Sequence, residues 1–182
     1  HLLPTMEKID IYLSLGSNVG DRLANLKHAI GQLENLIEIE KISSIYETQP
    51  VEQVSQTWFL NCALEGKTKL KPEDLLNSLK KIEKEMGRTE SLGPRIIDLD
   101  IILYGDMILS SPTLTIPHPR MHSRLFVLEP LAEIAANVIH PVLKKSAETM
   151  MREHKESCSF KIVRLYDPES YSSTISRTFN LI

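Results

Sequence analysis

The chain has 182 residues, 42% of them apolar and 25% charged, which suits one globular domain with a substantial core. Its formal net charge of −3 argues against a general nucleic-acid or membrane-surface binder, which would carry a basic excess, although a local basic cleft stays open. No apolar run reaches the roughly 18 residues of a membrane span.

The two cysteines, Cys62 and Cys158, are not in a C-x-x-C pair, so neither a zinc site nor a disulfide framework is indicated. Cys62 lies in an apolar alternating run and reads as a small core residue in a reducing, cytoplasmic compartment. The opening HLLPT lacks the basic n-region of a signal peptide. Residues 1–5 read as a cloning scar or the remnant of an upstream segment. The domain is expected over residues 6–158, with an extension or linker over 159–182.

In chain order, Ile9 to Leu15 alternates strictly and predicts a strand. Gly16-Ser17-Asn18 breaks it, and Asp21 opens a helix carrying Leu23, Leu26, Ile30, Leu33 and Ile37 on one stripe. Ile39 to Tyr46 predicts a second strand, Glu47 to Gln56 a loop containing Pro50, and Trp58 to Glu65 a third strand. Pro72 suits a helix's first position, with Glu73 and Asp74 favouring its dipole, Leu75, Leu76, Leu79, Ile82 and Met86 on the buried face and Gly87 as its stop. A loop over Arg88 to Pro94 leads to a fourth strand, Ile96 to Tyr104.

The order β-α-β-β-α-β predicts an α+β fold with a ferredoxin-like core: a mostly antiparallel sheet with both helices on one face. Thr113 to Arg124 reads as an ordered loop, and Phe126 to Ala136 and Ser146 to His154 as additional C-terminal helices. Beyond Lys155 the chain is Ser-rich with little periodicity. Its end is left open between a peripheral strand, a disordered tail and a linker.

The strongest chemical feature is Ile97-Asp98-Leu99-Asp100-Ile101. On a strand, i and i+2 share a face, so Asp98 and Asp100 project together. Paired carboxylates repel unless a cation sits between them, and Mg²⁺ takes such ligands together with substrate phosphates. D-x-D is common, and an edge strand with a wet polar face is the rival reading. Arg88 and Arg95 flank the preceding loop, and His118, Arg120, His122 and Arg124 cluster after the strand. Guanidiniums suit phosphate, so the acid pair between these loops points to a Mg-nucleotide site. Arg120 and His122 read as surface charges.

Gly16-Ser17-Asn18-x-Gly20 is neither a Walker A loop nor G-x-G-x-x-G and reads as a tight turn with an N-cap. Phe59 and Asn61 share a strand face, which could stack on a flat heterocycle and pair with its donor–acceptor edge. A core role for Phe59 is the simpler reading, while a buried Asn61 needs a hydrogen-bond partner. Glu83 reads as off its helix's apolar stripe, and therefore solvated.

Taken together, L-x-L-G-S-N-x-G-D (Leu13 to Asp21), S-x-x-Y-E-T-x-P-V (Ser43 to Val51), F-L-N (Phe59 to Asn61), G-P-R-x-I-D-L-D-I-x-L-Y-G (Gly93 to Gly105) and I-P-H-P-R-M-x-x-R-x-F (Ile116 to Phe126) resemble the 6-hydroxymethyl-7,8-dihydropterin pyrophosphokinases. These segments come in family order over about residues 8 to 155.

The resemblance implies a transferase of folate synthesis that moves pyrophosphate from ATP to the pterin hydroxymethyl group, releasing AMP. It implies that Asp98 and Asp100 bind two Mg²⁺ ions, and that Arg88, Arg95, His118 and Arg124 contact or shape the triphosphate site. Arg88 and Arg95, with the two aspartates, would be the catalytic set. Asn61 would hydrogen-bond the pterin, with Thr48 and Val51 near it and Phe59 and Phe126 bracketing the ring. Glu83 would be a buried neighbour of the nucleotide, against its solvated reading above. The loop Arg88 to Pro94 is shorter and less basic than in many members, with Leu92 where a Trp is common. Fusion to dihydropteroate synthase or to dihydroneopterin aldolase occurs in the family.

Two rivals follow from the residues. A metal-dependent phosphohydrolase would use the same aspartates without a pterin. A ferredoxin-like regulatory module would bind ATP or a pterin without turnover.

Overall fold

Strand alternation and two amphipathic helices place the elements in the computed structural model, which describes residues 7–48, 57–87, 96–157 and 162–168. β1 (Ile9–Ser17) buries Ile11, Leu13 and Leu15 completely. The turn after it ends at Asp21, whose carboxylate caps α1 (Arg22–Glu34) by accepting from Ala24 N at 3.0 Å, a contact of about 1 kcal/mol. β2 (Glu38–Ile42) and β3 (Ile45–Thr48) follow, then β4 (Phe59–Thr68). α2 (Pro72–Glu85) starts with proline at its first turn and two acids behind it. Gly87 then turns the chain at φ +112°, where a Cβ would stand 2.6 Å from Ile96 Cδ1. β5 (Asp98–Tyr104) completes the βαββαβ core.

The main sheet runs β5-β1-β4-β3-β8, where β8 is Ile162–Tyr166, with β2 also paired to β4, and every ladder in it is antiparallel. This is the α+β, ferredoxin-like order that the element sequence predicts. β6 (Leu109–Ser110) and β7 (Thr115–Ile116) form a small hairpin, the Ile116–Pro117 peptide is cis, and a short 3-10 turn covers Met121–Ser123. α3 (Leu125–Ala135) and α4 (Ala147–Ser157) come next, then β8 (Ile162–Tyr166). Residues 162–166, left open by the sequence, thus form a strand on the outer edge of β3.

Two apolar clusters flank the sheet. One joins Leu26, Ala29, Ile30 and Leu33 of α1 and Leu75, Leu79 and Ile82 of α2 to the β1, β4 and β5 side chains of one face. The other joins Val127, Leu128 and Leu131 of α3 and Met150 of α4 to Tyr12, Ala63, Ile102 and Leu103 on the opposite face. The sheet is therefore covered on both sides, by α1 and α2 on one and by the C-terminal helices on the other.

Several boundaries differ from the sequence reading, beginning with β1, which runs through Gly16 and Ser17 where the sequence reads a break. The predicted strand Ile39 to Tyr46 is two strands, because Ser44 turns its N–H away from β4 and Ser43, whose N–H still donates to Ala63 O, meets β4's next donor with its hydroxyl. Ser44 N reaches the Glu133 carboxylate at 2.9 Å, and Ser43 Oγ accepts from Ala63 N at 2.8 Å. Glu47 and Thr48 belong to β3 rather than to a loop. β4 begins one residue after Trp58 and runs on to Thr68, and β5 begins at Asp98.

Candidate functional site

Register across the sheet assembles the site. Asp98 of β5 lies opposite Gly16 of β1, Gly16 opposite Asn61 of β4, and Asn61 opposite Tyr46 of β3. Paired residues of an antiparallel ladder share a face, so Asp98, Gly16, Asn61 and Tyr46 form one cross-sheet row. Asp100, opposite Ser14, sits on the same face. Phe59 and Thr48 form the next pair along that face and close the β3–β4 ladder. The face is the one that α3 covers through Val127, Leu128 and Leu131.

Within the row, Asp98 is half-buried and Asp100 exposed, both at the end of an edge strand. Two hard oxygen donors on one face, facing solvent, fit a divalent cation shared with a ligand's phosphates. Gly16 lets the Asn61 amide lie close over β1 beside Asp98. A Cβ there would stand 2.7 Å from Asn61 Nδ2 and 3.7 Å from Phe59 Cδ1. Asn61 is buried at 4% exposure, and its Oδ1 accepts from the Thr48 hydroxyl at 2.5 Å. That bond turns the Nδ2 donors toward the bare Gly16 position.

The turn after β1 braces the other side. Ser17 Oγ donates to Ile96 O at 2.6 Å, and Asn25 Nδ2 donates to Ser17 Oγ at 3.1 Å and to Val19 O at 2.8 Å. The start of β5 is thereby tied to β1 and α1, immediately ahead of Asp98.

Glu83 is a correction. Its solvated reading fails: it is 5% exposed, and Oε2 accepts from Leu99 N at 3.1 Å. It stands four residues after Leu79 and so faces the sheet with it. An edge strand has backbone groups with no neighbouring strand, and Glu83 satisfies one between the two aspartates. His118 N satisfies another, donating to Ile102 O at 2.9 Å.

His118 Nδ1 accepts from Arg120 N at 3.2 Å, which leaves Nε2 as the N–H donor. Burial, then Arg124 and Arg120, push its pKa down to about 4, so the ring is neutral at pH 7. Arg124 precedes α3 and lies 5.5 Å over the Phe126 ring, and both are half-buried. Arg120 and His122 are exposed, in agreement with their surface reading. Val51, Arg88, Arg95 and the loop Arg88 to Pro94 lie outside the described residues, as do residues 1–6 and Cys158.

Sequence reasoning missed two supports of this face. Tyr46, beside Asn61 in the row, donates its hydroxyl to Glu133 Oε1 at 2.6 Å, and burial pushes that hydroxyl's pKa up. Arg22, in the first turn of α1, donates to Trp58 O and pairs with Glu47, both at 2.7 Å. A base in the first turn, where the helix dipole disfavours it, was the available signal for Arg22.

Comparison with known proteins identifies the family. Residues 12–136 match the model of the family "7,8-dihydro-6-hydroxymethylpterin-pyrophosphokinase (HPPK)". The chain is 47% identical over 146 residues to the 2-amino-4-hydroxy-6-hydroxymethyldihydropteridine pyrophosphokinase of Aquifex aeolicus, covering 79% of this chain and 91% of that one. It is 48% identical over 131 residues to the Bacillus subtilis enzyme of that name, covering 70% and 78%. Against the folic acid synthesis protein FOL1 of Dictyostelium discoideum it is 45% identical over 142 residues, 77% of this chain but 22% of that much longer one. The fold is similar to that of Plasmodium falciparum HPPK-DHPS crystallised with pterin and p-hydroxybenzoate. There the TM-score is 0.72 at 17% identity, covering 90% of this chain and 48% of that one. By class the chain is a transferase of folate biosynthesis. It belongs to the 7,8-dihydro-6-hydroxymethylpterin-pyrophosphokinase family, whose members use ATP.

Proposed function

We propose that the cross-sheet row is where the chain transfers pyrophosphate from ATP to the hydroxymethyl group of 6-hydroxymethyl-7,8-dihydropterin, giving AMP and the pterin pyrophosphate. The observation that carries this reading is the placement of Asp98 and Asn61 on either side of a bare glycine. Two strand spacings separate them, roughly 10 Å. A bicyclic ring held at Asn61 and carrying a one-carbon arm reaches across that gap toward the aspartates.

Asn61 recognises the ring's donor–acceptor edge with its Nδ2 donors, while Thr48 holds the amide in that sense. Phe59 and Phe126 bracket the ring, and Val51 contributes from beyond β3. Asp98 and Asp100 hold two Mg²⁺ ions, which when bound neutralise phosphate charge and polarise the attacking alcohol. Arg88, Arg95 and Arg124 bind the triphosphate, and His118, neutral at pH 7, donates to it through Nε2–H. Glu83 acts behind β5, by holding Leu99 between the metal-binding carboxylates. The hydroxymethyl oxygen then attacks the β-phosphorus in line and AMP departs. Most of the rate comes from positioning and charge neutralisation rather than covalent catalysis. A reducing compartment, the cytoplasm in this reading, agrees with Cys62 as a buried free thiol whose pKa burial pushes up to about 12. Among the described residues no helix is long and apolar enough to cross a membrane.

The test is a nucleotide product assay with ATP, MgCl₂ and the dihydropterin, with a control lacking pterin. AMP that needs the pterin and disappears with EDTA is the expected result. ADP or phosphate released without pterin would instead identify a phosphohydrolase, and tight ATP binding without turnover a regulatory module.

A further inference from the structure

The β3–β4 ladder ends at the pair Thr48 and Phe59, two side chains assigned to the pterin above. At this end of the ladder the two strands are also joined by a side chain from another element. Arg22 Nη1 donates to the Trp58 carbonyl at 2.7 Å and contacts Glu47 Oε2 at 2.7 Å. Trp58 immediately precedes Phe59, and Glu47 immediately precedes Thr48. Glu47 pairs with Leu60, so its side chain lies on the α1 side of the sheet, opposite Asn61.

We infer that Arg22 is a positioning residue for the pterin half of the site, acting from behind the sheet by clamping the ends of β3 and β4; this rests on the reading above. Two observations support it. One guanidinium nitrogen serves both strands, so both contacts are lost together. The base stands in α1's first turn, which holds no acid and where the helix dipole disfavours a cation, so helix stability does not account for it. The Arg22 and Glu47 side chains are only 24% and 30% exposed, so losing the pair also costs stability, and the test must separate that cost from the effect on pterin. What the clamp controls is the spacing of Thr48 and Phe59. The aspartates on β5, across β1 and β4, do not depend on it.

The experiment compares wild type, Arg22→Met, Arg22→Lys and Glu47→Gln in steady-state kinetics, with thermal denaturation of each. Arg22→Met is expected to raise KM for the pterin on the order of tenfold. KM for ATP and kcat at saturating pterin should stay close to wild type, while Tm falls by an amount that does not track the pterin KM across the variants. Arg22→Lys should recover part of the loss by keeping the ion pair. Glu47→Gln should cost less than Arg22→Met, since the Trp58 carbonyl remains held. An unchanged pterin KM in Arg22→Met would overturn the inference, and so would a parallel rise in both KM values with a fallen Tm. Absence of pterin-dependent AMP in wild type would instead overturn the functional reading on which it rests.

Discussion

Thr48 and Asn61 are joined across the β3–β4 ladder by a 2.5 Å hydrogen bond in which the hydroxyl donates to the amide oxygen. Both residues are almost fully buried, at 4% exposure each. The bond therefore sets which end of the amide faces Gly16. Replacing Thr48 by Val keeps the volume but leaves a buried amide oxygen unpaired, which costs about 1–3 kcal/mol. The amide is then free to turn, and pterin affinity should fall about tenfold or more, a loss of the same 1.4 kcal/mol order per decade. Thr48→Ser should restore both. Fluorescence titration with the pterin, alongside urea denaturation, reads the two effects separately.

Gly16 is needed for space and not for its backbone freedom. It is not among the glycines with positive φ, yet its Cβ position lies 2.7 Å from Asn61 Nδ2. Gly16→Ala should therefore fold with a stability change within about 1–2 kcal/mol, of the size of a modest overpacking. Because Thr48 restrains the amide, Asn61 cannot yield without losing its orientation. The variant should bind Mg-ATP normally in a calorimetric titration while its pterin affinity drops.

The same row shows what the sequence makes legible. Period-2 alternation in β1, β4 and β5 reveals the strands, and with antiparallel order it places Asp98, Asp100, Phe59 and Asn61 on faces. The motif spacing then brings them to one end of the sheet. What alternation does not carry is side-chain capture of backbone groups. The break at Ser43-Ser44 arises because Glu133, on α3, takes the Ser44 N–H and hydroxyl. Glu83 reads as solvated only while its spacing from Leu79 is ignored and acids are assumed to seek water. The unpaired edge of β5 supplies the buried donor it needs. β8 is short, and a register shift pairs Arg164 with Tyr46 but Tyr166 with Ile45, on opposite faces of β3, so its period is broken.

Glu83 links fold stability to the acid pair. Glu83→Ala should leave the Leu99 N–H without its acceptor and destabilise the protein by about 1–3 kcal/mol. Because Leu99 separates the two aspartates, the Mg²⁺ concentration needed for half-maximal AMP formation should also rise. Glu83→Gln retains an acceptor oxygen and should lie between Ala and wild type. Chemical denaturation together with a Mg²⁺ titration of the rate tests this. Loss of stability with an unchanged Mg²⁺ dependence would confine Glu83 to a structural role.

His118 gives the account a pH signature. Its pKa in the folded protein, about 4, lies below the ordinary 6.5, because of burial first and then Arg124 and Arg120. Between those values the unfolded chain binds the proton and the folded one does not. Stability should therefore decline as pH falls from 6.5 toward 4, while above 6.5 this group contributes no slope. His118→Gln should flatten that part of the stability–pH curve, as measured by denaturation midpoints across the window. Bound triphosphate should raise the pKa of the ring, which an NMR titration of the imidazole protons with and without ATP would detect.

The most direct test of the central claim is the rate of pterin-dependent AMP formation in Asp98→Asn and Asp100→Asn. Each substitution preserves shape and removes one charge from a group that is half-buried or exposed, so thermal denaturation should show an intact fold. Each should slow AMP formation by on the order of 10² or more, the scale of losing a charge-stabilising contact in the transition state. AMP formation at near wild-type rates in either variant would contradict the assignment of the pair to metal binding, and with it the placement of the reaction on this row.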